Sequence, residues 1–386
     1  MKKDNYFSGL TKNTFLLAFT SFFSDIATEM LYPILPIFLT QTLGASVSVV
    51  GIVEGVATAT QNVVQGFSGW LSDKLHKRKS IALVGYSFAA ISKPFLGLAS
   101  IWQVVLGIRF LDRLGTGIRS APRDGLIAAS AEEGSRGKAF GLEGIGDNLG
   151  AFVGPLIAIL LLFAFHVSIR NIFYIAFIPG LLSILMVTFV KEKKAIIHTK
   201  AKLNITIKKF PAKYWKYIFV TALFGLGNSS NSFLILRAKN IGIPLITTIF
   251  IYACFNLVAA LSSYPAGFLS DKFGRKIILV LCFIIFILTY VGFGISSNVF
   301  LIGFLFVLYG VYQGIFRAVG KALATDYVPS ALRASSVGWY STTVGLSGLV
   351  ASIIGGQLWV LINPSATFFY GATFGILGAS ALLFLI

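Results

Sequence analysis

Long apolar runs alternate with short polar connections along the whole chain, and this pattern predicts membrane-spanning helices. We count twelve apolar runs, the first three at about residues 14–40, 47–72 and 80–100. One spanning helix uses about 20 predominantly apolar residues, so twelve spans leave no room for a separate soluble domain. Only 12% of the residues are charged and 56% are hydrophobic, whereas a soluble domain has about 25% charged residues.

The polar ends of two of these runs have nearly the same sequence. Gly-Trp-Leu-Ser-Asp-Lys-Leu-His-Lys-Arg-Lys at residues 69–79 returns 198 residues later as Gly-Phe-Leu-Ser-Asp-Lys-Phe-Gly-Arg-Lys at residues 267–276. Each copy ends an apolar run with a small residue, one acid and a cluster of bases. A repeat at about half the chain length is typical of a duplicated membrane bundle.

This repeated segment resembles the motif between the second and third helices of each half of the major facilitator superfamily, and the resemblance covers essentially the whole chain. One departure is His76-Lys77, which stands where the first copy usually has Gly-Arg. The resemblance implies twelve transmembrane helices in two six-helix bundles, with an N-terminal bundle at residues 1–190, a cytoplasmic linker at 191–213 and a C-terminal bundle at 214–386. It also implies gating residues, which are Gly69, Asp73, Arg78, Gly267, Asp271 and Arg275.

The position of the basic residues predicts the orientation in the membrane. The net charge is +18, and most bases lie before the first run, after the second, fourth and eighth runs, and in the middle connection. The loops near Gly44, Ser100, Asn298 and Asn363 contain no Lys or Arg. The positive-inside rule then places both termini and the linker in the cytoplasm. We expect the chain to lie in a bacterial inner membrane. Because the bases follow membrane topology, we expect no nucleic-acid partner.

Neither a cofactor nor a metal is expected, and no enzymatic activity. Cys254 and Cys282 fall inside apolar runs, and no metal-ligand spacing is present. The Gly115-x-Gly117 pair lacks the preceding strand and the Lys-Ser or Lys-Thr of a phosphate-binding loop. The bilayer and a small-molecule substrate are the expected partners of a chain that we expect to be monomeric.

Four acids inside the apolar runs are the proton-coupling candidates. Asp25 and Glu29 are four residues apart and share one helix face, as do Glu143 and Asp147. A charge near the bilayer centre costs about 2.5 to 3.5 kcal/mol on insertion scales, so such residues face a cavity or a partner. The alternative is that they are structural acids paired with bases on neighbouring helices.

Further charges suggest ion pairs and a substrate cavity. Glu54 of the second run and Lys93 of the third are candidate partners, and Arg109 and Arg113 are expected to face Glu143 and Asp147. Only Asp271 and Asp326 are acidic after the linker, so neutral polar groups are expected to line the C-terminal half of the cleft. The predicted cavity residues are Arg109, Asp112, Arg113, Asn228, Asn231, Tyr309, Tyr312, Gln313 and Arg317.

The expected function is secondary active transport of a small solute by alternating access, with the proton as coupling ion. The segment Gly150-Ala-Phe-Val-Gly154-Pro155 resembles the fifth-helix signature that the superfamily associates with antiporters, and its small residues are also expected to pack helices closely. Together with a likeness to bacterial drug:proton antiporters, it favours efflux of a drug, metabolite or siderophore-like solute. Uptake of a nutrient or anionic metal chelate is the alternative, and a transporter-like sensor or scaffold is the alternative outside transport.

Overall fold

The computed structural model describes residues 10–75, 77–130, 136–192, 210–329 and 332–386, without the side chains at 70, 73, 74, 136–138, 333 and 334. Most of the predicted linker, 193–209, therefore lies outside the described residues. In the described ranges the α-helices are α1 (Lys12–Glu29), α2 (Leu35–Ile37), α3 (Val47–Leu75), α4 (Arg78–Leu98), α5 (Trp102–Ser130), α6 (Arg136–Ile159), α7 (Ile169–Ile175), α8 (Phe177–Phe189), α9 (Ala212–Gly225), α10 (Ser232–Asn240), α11 (Leu245–Phe273), α12 (Arg275–Ile295), α13 (Val299–Asp326), α14 (Arg333–Leu361) and α15 (Pro364–Leu385). Two π-helical segments, Phe38–Thr42 and Leu160–Ala164, extend α2 and α6.

These helices form the twelve predicted spans. Within the described residues, nine helical stretches are long and apolar enough to cross a membrane, and α7 with α8 counts as one of them. The other three spans are α1 with α2, the charge-rich α5, and α9 with α10. The prediction of an all-α protein with two six-helix bundles is confirmed.

The two halves repeat each other element by element. Helices α3 and α11 both contain 29 residues, and α4 and α12 both contain 21. The first span of each half is interrupted near its middle, at residues 30–34 and 226–231. Pro33 and Pro36 remove backbone donors at the first break, and the run from Gly227 to Asn231 favours turns at the second. The apolar pattern predicted a continuous helix for the first span of each half, and this prediction was wrong.

Glycines set the closest helix contacts. A Cβ at Gly154 of α6 would lie 2.9 Å from the carbonyl oxygen of Ile26 in α1, and one at Gly150 would lie 2.9 Å from the Cβ of Asp25. The buried Pro155 follows in the same helix. Between the halves, a Cβ at Gly356 of α14 would lie 2.8 Å from the Cα of Ser48 in α3. Small residues therefore allow backbones to approach both within and between the halves.

The two ends of the bundle differ in their bases. We call the end where α3 meets α4 the basic end, after Lys77, Arg78 and Lys79. The loops of the opposite end were expected to contain no Lys or Arg. The structure nevertheless places Arg170 and Arg237 at that end. Arg170 donates to the carbonyls of Gly97 and Ala99 at 2.8 and 2.7 Å, and Arg237 donates to Phe293 and Ser296. Both cap the C-terminal ends of helices, where cations are favourable.

Candidate functional site

A cavity of about 550 Å³ lies between the two halves. It extends from Tyr32 and Glu54 to Asp124, Lys321 and Tyr340, which lie toward the basic end. The Asp124 side chain is 44% exposed, so the cavity is open at the basic end.

The opposite end of the cavity is closed by contacts between the halves. Tyr32 stacks on Tyr252 with ring centroids 5.4 Å apart, and its hydroxyl lies 3.3 Å from that of Ser230. Closer to the opposite end, a Cβ at Gly51 of α3 would lie 3.3 Å from the ring of Phe233, which packs against Trp359 within the C-terminal half. The residues at both helix breaks, Tyr32 and 228–231, contribute to the cavity wall. Broken helices expose backbone groups and short polar side chains to a central site in membrane transporters.

Three of the four predicted coupling acids line this cavity. Asp25, Glu29 and Asp147 lie on its wall, whereas Glu143 lies behind it. The carboxylate of Glu29 accepts hydrogen bonds from the Tyr252 hydroxyl at 2.9 Å and from the Asn256 amide at 3.4 Å. Because Glu29 is in α1 and both donors are in α11, these bonds join the two halves.

Asp25 has a weaker partner. Its carboxylate lies 4.0 Å from the guanidinium of Arg119, which is beyond hydrogen-bond distance. Arg119 is 5% exposed and stacks on the ring of Tyr86 at 4.5 Å. Its Nε and Nη1 atoms have no hydrogen-bond partner among the described residues. Asp25 and Arg119 are therefore not locked together.

Arg123 is the base that holds Glu143. Its guanidinium lies 2.9 Å from Glu143 and 3.8 Å from Asp147, and Ser21 donates a further hydrogen bond to Glu143 at 2.7 Å. The predicted partners, Arg109 and Arg113, do not reach these acids. They lie too close to the opposite end of α5, so the structure corrects this pairing.

Arg109 and Asp112 belong to a buried ionic network behind the cavity wall. Arg109 donates to Glu54 at 2.8 Å and to Asp112 at 2.8 Å, and Lys93 donates to Asp112 at 3.2 Å. Glu54 and Lys93 are thus in one network, but they are not direct partners. Arg113 lies 3.6 Å from Asp112 and does line the cavity. The structure therefore moves Arg109 and Asp112 from the predicted cavity to its support.

The C-terminal half presents neutral polar groups and two cations, Arg317 and Lys321, to the cavity. Asn228, Asn231, Gln313 and Arg317 line it as expected. Tyr309 and Tyr312 do not, because both are fully buried in an aromatic core. The Tyr309 hydroxyl donates to Asn231 at 2.9 Å, so it positions a residue of the wall.

The predicted gating residues lie at the basic end, outside the cavity wall. Arg275 lies 3.3 Å from Asp271 and 2.9 Å from Asp326, at the junction of α11, α12 and α13. In the first copy, a Cβ at Gly69 would lie 3.1 Å from that of Ala121. The Arg78 backbone donates to Glu192 at 2.8 Å. The side chain of Asp73 lies outside the described residues, and a Cβ at Gly267 would have open space around it.

Several wall residues were absent from the predicted set, namely Arg119, Arg123, Tyr252 and Lys321. The sequence contained a signal for the depth of two of them, Arg119 and Arg123. Helices α5 and α6 are antiparallel neighbours, so residues equally far from their short connection lie at the same depth. Arg123 and Glu143 are each ten residues from position 133, and Arg119 and Asp147 match in the same way.

Known proteins resemble this chain over its whole length. The family model described as Major Facilitator Superfamily matches residues 17–235 and 217–386. The uncharacterized MFS-type transporter MJ1317 of Methanocaldococcus jannaschii is 36% identical over 382 residues, covering 97% of this chain and 95% of the relative. Quinolone resistance protein NorA of Staphylococcus aureus is 28% identical over 177 residues, covering 46% of this chain and 44% of its own. A solved variant of the nucleoside transporter NupG covers 96% of this chain and 99% of its own, with a TM-score of 0.80 at 14% identity, which shows the fold alone.

Proposed function

Because the chain belongs to the Major Facilitator Superfamily, we propose that it is a secondary active transporter that couples efflux of a small polar solute to proton movement by alternating access. The relatives above are transporters and not enzymes. The cavity is built by one chain, which supports a monomer as the working unit. In this proposal the structure is the state open at the basic end.

The observation that carries this proposal is the position of Glu29. Its carboxylate belongs to one half, and both of its hydrogen-bond donors, Tyr252 and Asn256, belong to the other. The described residues place no cation within 4.0 Å of it. Opening the opposite end separates α1 from α11, so Glu29 exchanges two protein donors for water. A carboxylate whose surroundings change in this way binds its proton differently in the two states.

Asp25 and Asp147 are the second coupling pair in the proposal. Both line the cavity, and their partners Arg119 and Arg123 lie at 4.0 and 3.8 Å. These distances leave both acids able to exchange protons with cavity water. Glu143 is closed off by its bonds to Arg123 and Ser21, so its role is to hold Arg123 in place.

The lining supports a polar substrate. Among the described residues, five acids and five bases reach the wall, together with carboxamides and hydroxyls. A purely apolar drug would leave these groups without partners when it displaced their water, which costs about 1 to 3 kcal/mol for each unsatisfied group. The polar wall therefore favours a solute that carries its own hydrogen-bonding or charged groups.

Efflux is supported by the likeness to NorA and by the segment that contains Gly154-Pro155. Proton-coupled uptake of an anionic nutrient or metal chelate is the second candidate. The observation that favours it is the set of arginines on the cavity wall, Arg113, Arg119, Arg123 and Arg317. A pH gradient of either sign in the assay below separates the two directions.

The experiment that tests the proposal uses the full chain in proteoliposomes. A counterflow screen of unlabelled solutes first identifies those that exchange, and an imposed pH gradient then tests uphill movement. Coupled transport predicts accumulation against the solute gradient that stops when a protonophore is added. The variant Lys216→Gln, changed at an exposed base outside the cavity, is the control with unaltered coupling. Exchange that is indifferent to a pH gradient of either sign would overturn proton coupling.

We also propose that the basic end faces the cytoplasm of a bacterial inner membrane, with both termini there. Cysteines at Ser46 and Ala212, which are exposed at the two ends, test this in a background where Cys254 and Cys282 are replaced. A membrane-impermeant maleimide added to cells is expected to label the cysteine at position 46 and not that at 212. The reverse labelling would invert the orientation.

A further inference from the structure

The cations on the cavity wall differ in how well they are paired. Arg123 of the N-terminal half lies 3.0 Å from Asp124 and 2.9 Å from Glu143. In the C-terminal half, Arg317 and Lys321 are one turn apart on α13, and both are exposed to the cavity. In the part of the chain that the structure describes, neither has a carboxylate within 4.0 Å. The α13 wall thus presents positive charge without a protein anion.

Arg317 has a counterpart on the other wall. Arg113 projects from α5 into the same cavity, and both guanidinium groups lie within electrostatic range of the Glu29 carboxylate. Arg113 donates to the Gln61 side chain at 3.2 Å, which fixes its orientation. Two cations on facing walls repel each other unless an anion lies between them. Glu29 fills this role incompletely, because Tyr252 and Asn256 hold its carboxylate.

Arg119 adds a further positive charge beside the same wall. It is 5% exposed, and two of its three guanidinium nitrogens, Nε and Nη1, have no partner among the described residues. The nearest carboxylate, Asp25, is at 4.0 Å. Its charge therefore adds to the positive field of Arg113, and its Nη2 reaches the cavity side.

We propose that the substrate is a small organic anion whose carboxylate or phosphate group binds between Arg113 and Arg317. The proposal rests on the transport function above and names its substrate class. Guanidinium groups match the planar geometry of these anions and form charge-assisted hydrogen bonds with them. Gln61, Gln313 and Asn256 line the same cavity and can bind the polar remainder. A cavity of about 550 Å³ is within the range of small-molecule sites.

Neutralising Glu29 and neutralising the arginines are expected to change the affinity for an anion in opposite directions. A charged Glu29 offers the two arginines a competing anion, so its neutralisation is expected to strengthen anion binding. Neutralising either arginine is expected to weaken it. A structural role for all three residues would predict losses in every variant and no gain.

The test measures binding to the purified full chain in phosphatidylcholine nanodiscs, which keep anionic headgroups out of the assay. The probes are glutarate against glutaramide, a pair matched in shape, and glycerol 3-phosphate against glycerol, which lacks the phosphate. Inorganic phosphate alone is the third probe. We expect at least one anion to bind and its neutral mate not to. Arg113→Gln and Arg317→Gln are expected to weaken binding about tenfold to a hundredfold, whereas Glu29→Gln strengthens it. Lys216→Gln, an exposed base outside the cavity, is the control.

Each outcome decides the proposal. Binding of the neutral mates, unchanged binding in both arginine variants, or no binding of any anion overturns the anion site. Its failure is separable from that of the transport function. If an uncharged or cationic solute from the counterflow screen moves uphill, transport stands and the anion site is wrong. If an anion binds as predicted but no pH gradient moves it, the site stands and proton coupling fails.

Discussion

The two halves have the same fold but stabilise their interiors by different chemistry. Four buried charged or ion-paired residues of the N-terminal half each have a tyrosine 197 or 198 residues later, and the pairs are Glu54 and Tyr252, Lys93 and Tyr290, Asp112 and Tyr309, and Glu143 and Tyr340. The first set forms ion pairs, whereas the second packs its rings in an aromatic core. A tyrosine keeps one hydrogen-bonding group without the desolvation cost of a charge.

This contrast between the halves bears on the proposed proton coupling. The N-terminal half carries all the acids of the cavity, and the C-terminal half offers tyrosine and carboxamide donors to them. Glu29 of the N-terminal half accepts hydrogen bonds from two such donors of the C-terminal half, Tyr252 and Asn256. In the proposed function, proton handling therefore belongs to the N-terminal half, and the aromatic half supplies rigid support and the Arg317 side of the substrate site.

The largest expected effect comes from the matched pair Asp112→Asn and Tyr309→Phe. Asp112 lies 2.8 Å from Arg109 and 3.2 Å from Lys93, so neutralising it leaves buried cations without their anion. We expect a loss of about 3 to 5 kcal/mol in the free energy of unfolding. Tyr309→Phe removes one hydrogen bond, to Asn231, and is expected to cost about 0.5 to 1.5 kcal/mol. Unfolding in mixed micelles titrated with SDS measures both, and equal losses would contradict the contrast.

The second pair, Glu143→Gln and Tyr340→Phe, is expected to differ in sign. Gln retains the bond from Ser21 but loses the charge opposite Arg123 at 2.9 Å, a loss of about 1.5 to 3 kcal/mol. The Tyr340 hydroxyl is buried without a hydrogen-bond partner among the described residues, so its removal leaves stability unchanged or raises it. The same unfolding assay applies. If Tyr340→Phe destabilises the protein as much as Glu143→Gln does, the Tyr340 hydroxyl has a hydrogen-bond partner. The expected difference between the ionic and the aromatic half would then be wrong at this pair.

The smallest effect is expected at the open end, where Asp124 of α5 and Lys321 of α13 are equivalent positions with opposite charges. At the closed end, the equivalent residues Tyr32 and Ser230 are already within hydrogen-bond distance at 3.3 Å. By the same logic, Asp124 and Lys321 are expected to pair when the basic end closes. An exposed pair is worth about 0.2 to 1 kcal/mol, so losing it in Asp124→Lys shifts the population toward the open form by up to about fivefold, and repulsion between the two lysines adds to this shift.

Distances between spin labels on the basic ends of α5 and α13 measure this population. The double variant Asp124→Lys with Lys321→Asp restores the opposite charges and is the matched control. It is expected to return the distance distribution toward that of the wild type. A distribution that depends on neither charge would remove the pair from the closed state.

The sequence predicted the spans because apolar length is a direct physical requirement of the bilayer. Val47–Leu75 and Arg78–Leu98 lie within a few residues of the predicted bounds. The breaks in the first span of each half were missed because apolar length alone was used, although Pro33 and Pro36 mark the first one. Local signals of this kind are recoverable from one sequence.

The pairing of the charges was harder to predict. Spacing on one helix showed that Glu143 and Asp147 share a face, but it did not show that Arg123, and not Arg109, lies at their depth. Counting outward from the connection between α5 and α6 recovers that pair. The link from Glu29 to Tyr252 joins residues 223 positions apart in different halves, so it depends on the docking of the two bundles, which no local pattern encodes.

Whether Glu29 carries the coupled proton is tested by comparing Glu29→Gln with the wild type in proteoliposomes, using a solute from the counterflow screen. Gln keeps a carbonyl oxygen that can accept the hydrogen bonds from Tyr252 and Asn256, so the fold and the contact between the halves are expected to persist. It has no carboxylate to carry a proton. We predict that Glu29→Gln retains solute exchange but loses uphill transport driven by a pH gradient. Uphill transport at the wild-type level would contradict the claim that Glu29 carries the coupled proton between the two halves.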